Sequence, residues 1–304
     1  MCMKKRSNLC LILCAVLIWF LTDAVHLRAA ASEALALCAT SVIPALFPFL
    51  AVSGLLVAMG FGDWLSPLLS GLMTPLFRLP GSAGSALVLG LAGGYPIGAR
   101  TAVELYRQGA LTQDEAERLL SFCNNSNPAF LISVLGAGVF GSARTGLWLW
   151  LIHILSALLT GLLFRGKKAP ALRRSSHHPV AAPPSFASAF VSSVRDAATG
   201  MLSICAFVVL FYVLAAPLKG LGGRTATALV GAVELFSLTP MLQNDAFSFL
   251  LAAGMSGWGG LSVLAQTAAV LDGTPLRLRC CLKGKLVQGL LSAALATAAV
   301  PALF

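Results

Sequence analysis

Apolar residues run along this chain in blocks, and the lengths of the blocks predict its elements. Residues 145–164, 200–218 and 286–303 are long enough for a helix to cross a hydrocarbon core about 30 Å thick. Residues 41–61 form a further long apolar stretch, punctuated by Pro44 and Pro48. Other blocks are too short. Residues 82–94 hold glycines at 84, 90, 93 and 94, and as a helix they reach roughly 20 Å, which predicts a half-helix that enters the membrane and turns back. Residues 261–271 are again half-length, behind the break Gly257-Trp258-Gly259-Gly260. Residues 63–78 are amphipathic with two prolines and predict an interfacial segment. Thr112-Gln113-Asp114-Glu115 is a capping box with acids in the first turn, so a helix is expected from there to about Phe122.

The order of these blocks repeats. Each half has a full span, a short interrupted segment, a helix running into an Asn- or Gly-rich break, a half-helix and a closing span. The expected architecture is all-α and polytopic: a membrane span over 1–28, a first repeat over 29–165, a basic cytoplasmic linker over 166–185 and a second, inverted repeat over 186–304. Inverted repeats with short, broken segments at matching positions point to a secondary transporter with a midplane site. Residues 9–21 behind a basic head also have the grammar of a signal peptide, with Ala29-Ala30-Ala31 as its cleavage site. Arg28 beside that site, and the immediate return of apolar residues, favour an uncleaved span.

Composition agrees with membrane embedding. The chain is 58% hydrophobic and 11% charged, less than half the charge of an ordinary soluble domain. The net charge is +10, and more than half of the basic residues sit in three clusters. These are Lys4, Lys5 and Arg6; Arg165, Lys167, Lys168, Arg173 and Arg174; and Arg277, Arg279, Lys283 and Lys285. Clustering in short loops is what the positive-inside rule expects, so a cytoplasmic N-terminus is expected and nucleic acid is not an expected partner. Of the eight cysteines none forms a C-x-x-C pair or lies at metal spacing from a histidine. No nucleophile–base set or phosphate-binding loop occurs. The sequence therefore calls for no enzyme activity, cofactor or metal.

The candidate chemistry lies at the breaks, where unpaired backbone groups are tolerated at membrane depth only against protein or a watery cavity. In Gly93-Gly94-Tyr95-Pro96-Ile97-Gly98-Ala99-Arg100, turn amides from Gly94, Tyr95 and Gly98, around Pro96 at the helix start, suit an anion together with the Arg100 guanidinium. The other reading is a Gly/Pro turn, with Arg100 pairing Glu104. Asn124, Asn125, Ser126 and Asn127 before Pro128 put four polar side chains between apolar segments, which is costly in lipid unless used. Ser262 and Gln266 share a helical face and either line a pathway or bond a neighbouring helix. Glu234 is an ionisable group in an apolar segment, a candidate for ion coupling or for a buried pair with an arginine.

At these motifs the chain resembles a known family. Pro44-Ala-Leu-Phe-Pro-Phe49, the 93–100 stretch, Leu111-Thr-Gln-Asp-Glu-Ala-Glu-Arg118, residues 124–130 and Gly-Gly-Leu-Ser-Val-x-x-Gln at 259–266 resemble the sporulation integral membrane protein YlbJ family, of the nucleoside-recognition or Gate domain group. The resemblance covers roughly residues 40–300. It implies a fold related to concentrative nucleoside transporters, with re-entrant hairpins. It also implies a multi-pass protein in a forespore or mother-cell membrane that moves dipicolinate, a planar dianion. Arg100 with turn amides would then meet one carboxylate, and the Asn and Ser clusters the other or the ring nitrogen. The implied partners are the lipid bilayer, a small anionic solute, and either a second copy or other sporulation membrane proteins. The alternatives are a nucleoside or other small-solute permease of the Gate type and a non-transporting assembly factor for the spore envelope.

Overall fold

The computed structural model describes residues 2–167 and 185–304. Among them every regular element is a helix. The chain opens with α1 (Cys2–Thr22), α2 (Ala24–Leu37) and α3 (Ile43–Ala58). A wide π turn, Cys38–Val42, joins α2 to α3 without interrupting the run. Pro44 explains it: its ring crowds the carbonyl four residues back and it has no N–H to donate, and a wider turn relieves both. Only Asp23 separates α1 from α2.

Among the described residues five helical runs are long and apolar enough to cross a membrane: Ala24–Ala58, Ala143–Leu163, Phe186–Lys219, Ala246–Leu271 and Leu278–Ala302. Leucines, valines and isoleucines such as Leu13, Leu17, Val52, Leu155, Leu202 and Leu290 stand exposed along these helices and α1. An apolar belt of that kind suits lipid and not water. The protein is an all-helical, polytopic membrane protein.

The amphipathic α4 (Phe61–Leu72) leads into a first hairpin, α5 (Ala83–Gly93) and α6 (Ile97–Arg107). Then come α7 (Gln113–Leu119), a polar break, a π-helix over Ala129–Val139 and the closing α8 (Ala143–Leu163). The capping box at α7 is present: the Glu115 N–H donates to Thr112 Oγ1, and Glu115 Oε2 accepts from the Thr112 N–H at 2.7 Å. The second half has a long α9 (Phe186–Lys219), a hairpin of α10 (Gly223–Val233) and α11 (Leu235–Leu238), a helix broken into α12 (Ala246–Trp258) and α13 (Gly260–Leu271), and the closing α14 (Leu278–Ala299). The order of elements in the first half thus recurs in the second. The two closing helices pack on each other, and α3 packs on α9, so the breaks lie between paired spans.

Three readings of the sequence change. The apolar segment that holds Glu234 is not continuous but a hairpin that turns at that residue. Helix α14 begins at Leu278, not at 286, so Arg279, Lys283 and Lys285 lie on a helix. Lys285 is completely buried and is no loop charge. Most of the basic linker, residues 168–184 with Lys168, Arg173, Arg174 and His177–His178, lies outside the described residues. Its first residues are held: Arg78 donates to the carbonyls of Gly166 and Lys167.

Candidate functional site

Four interruptions of the helices meet at one place. The first is the hairpin tip Gly94-Tyr95-Pro96. Gly94 has φ +83°, and a Cβ there would lie 2.9 Å from that of Asn127, so only glycine fits. Just beyond the tip, a Cβ on Gly98 would lie 2.0 Å from the Cys123 carbonyl oxygen. The hairpin is thus laid backbone to backbone on the second interruption, the 120–128 break. There Asn127 Oδ1 accepts from the Phe130 N–H at 2.8 Å and caps the π-helix.

The third interruption is the α12–α13 break. The Tyr95 hydroxyl donates to the Ser256 carbonyl at 2.9 Å, and the Tyr95 ring lies against Gly259. On the other side of this break, Gly260 faces the Val233 carbonyl and Glu234 at the tip of the second hairpin, and Trp258 Nε1 donates to the Ala232 carbonyl at 2.9 Å. Glu234, the fourth interruption, is buried and caps α11: its Oε2 accepts from the Ser237 N–H and, at 2.8 Å, from the Ser237 hydroxyl. Among the described residues no arginine pairs with it.

Between these breaks is a chamber of about 20 Å³ with Tyr95, Ser126, Asn127 and Gln266 on its polar side and Phe130 and Phe236 on its apolar side. That volume holds about one water. Beside it opens a vestibule of about 720 Å³ whose wall includes Arg100, Glu104, Arg107 and Asp196. Ile204 and Gln266 line both spaces, so little more than these side chains separates them. Helices α6, α13 and the π-helix all begin beside the chamber, and free N–H groups at helix starts favour negative charge.

Behind the chamber is a buried polar network. Lys285 donates to Gln288 Oε1 at 2.8 Å, and Gln288 Nε2 donates to Asn125 Oδ1 at 2.9 Å. The Ser126 N–H donates to His153 Nε2 at 3.1 Å, and Asn124 Nδ2 donates to Thr267 Oγ1 at 2.9 Å. Several polar atoms here have no partner among the described residues, among them Asn124 Oδ1, Asn127 Nδ2, His153 Nδ1 and Ser256 Oγ. Each such atom costs roughly 1–3 kcal/mol. Their concentration at one place suits a site that receives a ligand.

The structure therefore brings most of the sequence-derived candidates together. Tyr95, Ser126, Asn127 and Gln266 face the chamber. Asn124 and Asn125 stand behind it, and Ser262 is buried on α13, accepting from Gln266 Nε2 at 3.3 Å. Pro96 and Arg100 line the vestibule and not the chamber, with Arg100 exposed. Missed by the sequence reading were Lys285 and Gln288 on α14 and His153 on α8. A signal was present: Lys285, Gln288 and Ser292, like His153, Ser156 and Thr160, recur every three or four residues and so form polar stripes on apolar helices. The stripes face each other, with Ser292 Oγ donating to Ser156 Oγ at 2.8 Å.

Comparison with known proteins bears on this geometry. Residues 39–143 match the family model for the Gate domain, described as nucleoside recognition. The chain is 29% identical over 294 residues to the sporulation integral membrane protein YlbJ of Bacillus subtilis (strain 168), covering 83% of this chain and 72% of that protein. No solved structure matches it. The similarity thus reaches beyond the motifs: the chain is similar to YlbJ over 83% of its length, and the Gate match spans the first hairpin and the first break.

Proposed function

We propose that this protein is a multi-pass transporter acting in spore formation, with a cytoplasmic N-terminus, and that it carries a small anionic solute, dipicolinate first among the candidates. The observation that carries the reading is the chamber. Four interrupted helices meet there, with the unpaired Asn127 Nδ2 and three helix starts, one gate away from an open vestibule with two arginines and two acids in its wall. A chamber holding one water is a closed state, so a substrate of ten or more heavy atoms enters only as the hairpins part. Such rearrangement about a fixed midplane site is how transporters of this architecture alternate access. Glu234, at the tip of the second hairpin, is the residue proposed to couple that movement to an ion.

A second reading, a nucleoside permease, is favoured by the uncharged lining of the chamber and by the description of the Gate model. Purified protein in liposomes separates the two. Uptake of labelled dipicolinate, unaffected by excess uridine, is expected. Uridine uptake alone selects the second reading. If neither solute moves, and spores lacking the gene hold normal dipicolinate with no second copy to compensate, dipicolinate transport is ruled out and an assembly role or a permease for another solute remains.

A further inference from the structure

Lys285 is 0% exposed, and its surroundings are unusual. Its ammonium has three oxygen neighbours: Gln288 Oε1 at 2.8 Å, the Tyr95 hydroxyl at 3.3 Å and the Gly257 carbonyl at 3.4 Å. It also lies 4.9 Å from the centre of the Tyr95 ring. Three acceptors match the three protons of an ammonium group. All of them are neutral. Among the described residues no carboxylate lies within ion-pairing distance of it. The titratable groups around it are Tyr95 from the first hairpin, Cys123 from the break, Cys281 on its own helix and His153, which meets the same Gln288 amide.

A buried charge with no counter-ion is expensive. Leucine or methionine at this position would extend the apolar helix without that cost. The expense falls when a negative charge arrives nearby, and the chamber is where one can arrive. Tyr95 lines it, and the Tyr95 hydroxyl oxygen is a contact of Lys285. Asn127, 1% exposed, presents an unpartnered Nδ2 at the same chamber.

We propose that Lys285 is the fixed positive charge of the substrate site, acting through the Tyr95 hydroxyl, and that it selects a carboxylate-bearing substrate over a neutral one of the same shape. The proposal rests on the transporter reading above and assigns the substrate class of that site. On binding, a carboxylate oxygen takes the Tyr95 O–H now given to the Ser256 carbonyl, and the Asn127 Nδ2–H finds its acceptor. Lys285 keeps its place and supplies the charge. In so dry a site, opposite charges a few ångströms apart attract far more strongly than in water.

The test is equilibrium binding by the detergent-purified protein of two probes, dipicolinate and its uncharged isostere pyridine-2,6-dicarboxamide. Wild type is expected to prefer the dicarboxylate by about tenfold or more, which is about 1.4 kcal/mol. Lys285→Gln should bring the ratio near one, Lys285→Arg should retain part of it, and Tyr95→Phe should lower it. A purely structural role weakens both probes together and leaves the ratio alone. An unchanged ratio in a folded Lys285→Gln, or no preference in wild type, or no binding of either probe, overturns the proposal. If Lys285→Gln does not fold, Lys285→Arg and Tyr95→Phe decide by the same ratio. Dipicolinate uptake that persists in liposomes while the ratio is unchanged removes the charge assignment and leaves transport standing.

Discussion

The two hairpins hold the same place in the order of elements, yet their tips handle buried polarity in opposite ways. The first tip presents a tyrosine whose hydroxyl depends on other parts of the chain, giving its proton to the Ser256 carbonyl and receiving Lys285 from α14. The second presents a carboxylate satisfied within its own turn, by the Ser237 N–H and hydroxyl. A self-contained tip can move as a unit. A tip wired to two other elements reports on them when it moves. The difference teaches that the polar side chain of the first tip reads the site, while that of the second is satisfied locally and leaves its seating to Trp258 Nε1 and the close approach of Gly260.

Steric contrast between the hairpins is the harshest way to break this comparison. A methyl group at Gly98 would lie 2.0 Å from a backbone carbonyl, which cannot step aside. At Gly231 on α10 the nearest atoms are Leu238 Cδ2 at 3.0 Å and Met255 Cγ at 3.1 Å, both on flexible side chains. Gly98→Ala should destabilise by about 3 kcal/mol or more, or prevent recovery of monodisperse protein. Gly231→Ala should stay within about 1 kcal/mol, since it also gains helix propensity. Thermal unfolding in detergent measures both, and equal losses would mean that the two hairpins are seated alike.

Glu234 gives the next test. Glu234→Ala removes the cap of α11 and should cost about 1–2 kcal/mol. Glu234→Gln keeps an acceptor oxygen and should cost less. If Glu234 couples transport to an ion, the Gln variant still exchanges labelled for unlabelled substrate across liposomes while concentrative uptake falls by about tenfold or more. Parallel loss of exchange and accumulation would mean that the residue is only a cap.

The long apolar runs at 145–164, 200–218 and 286–303, the half-helix at 82–94 and the capping box were legible in the sequence because each rests on local signals: block length, glycine and proline breaks, and a Thr–Glu pair at fixed spacing. Tyr95, Asn127 and Gln266 were legible as site candidates for the same reason. Lys285 was not, because its meaning depends on what faces it. Beside Arg277, Arg279 and Lys283 it reads as one more cytoplasmic charge. Only packing of α14 against the Gly257 turn shows it to be buried. Arg100 fails in the other direction. Its position after the tip suggests the anion site, but one turn of helix carries it out of the chamber and into the vestibule wall.

That displacement lowers what Arg100→Ala should do. The sequence alone predicts that accumulation is abolished while the protein persists in the membrane. An exposed guanidinium at the entrance gathers anions before they bind, an effect that salt screens. The variant should raise the apparent KM about threefold to tenfold with little change in maximal rate, and the gap should narrow as salt is raised. A salt-independent loss of maximal rate would return Arg100 to the binding site itself.

The smallest contrast lies in the caps that open a helix in each half. Thr112 caps α7 through a hydroxyl that accepts the Glu115 N–H. Asp245 caps α12 through a carboxylate that accepts the Ser248 N–H at 2.7 Å. That bond holds the Asp245 carboxyl below its ordinary pKa of 3.8. A carboxyl whose pKa is lower folded than unfolded adds stability above the unfolded value and loses it as pH falls through the folded one. Asp245→Ala should therefore cost up to about 1 kcal/mol at neutral pH, reduced by solvent screening at this half-buried site, and the gap to wild type should close in acid below pH 3.8. Thr112→Ala should cost about 1 kcal/mol as well; it removes both the bond accepted from the Glu115 N–H and the bond donated to Glu115 Oε2, and only the second involves a carboxylate, so part of its gap should survive in acid. Neither change touches the chamber, so binding of dipicolinate at neutral pH should be unchanged in both. Unfolding curves at several pH values separate the two caps, and an Asp245→Ala gap that survives in acid would show that the charge of the carboxylate contributes nothing to the cap.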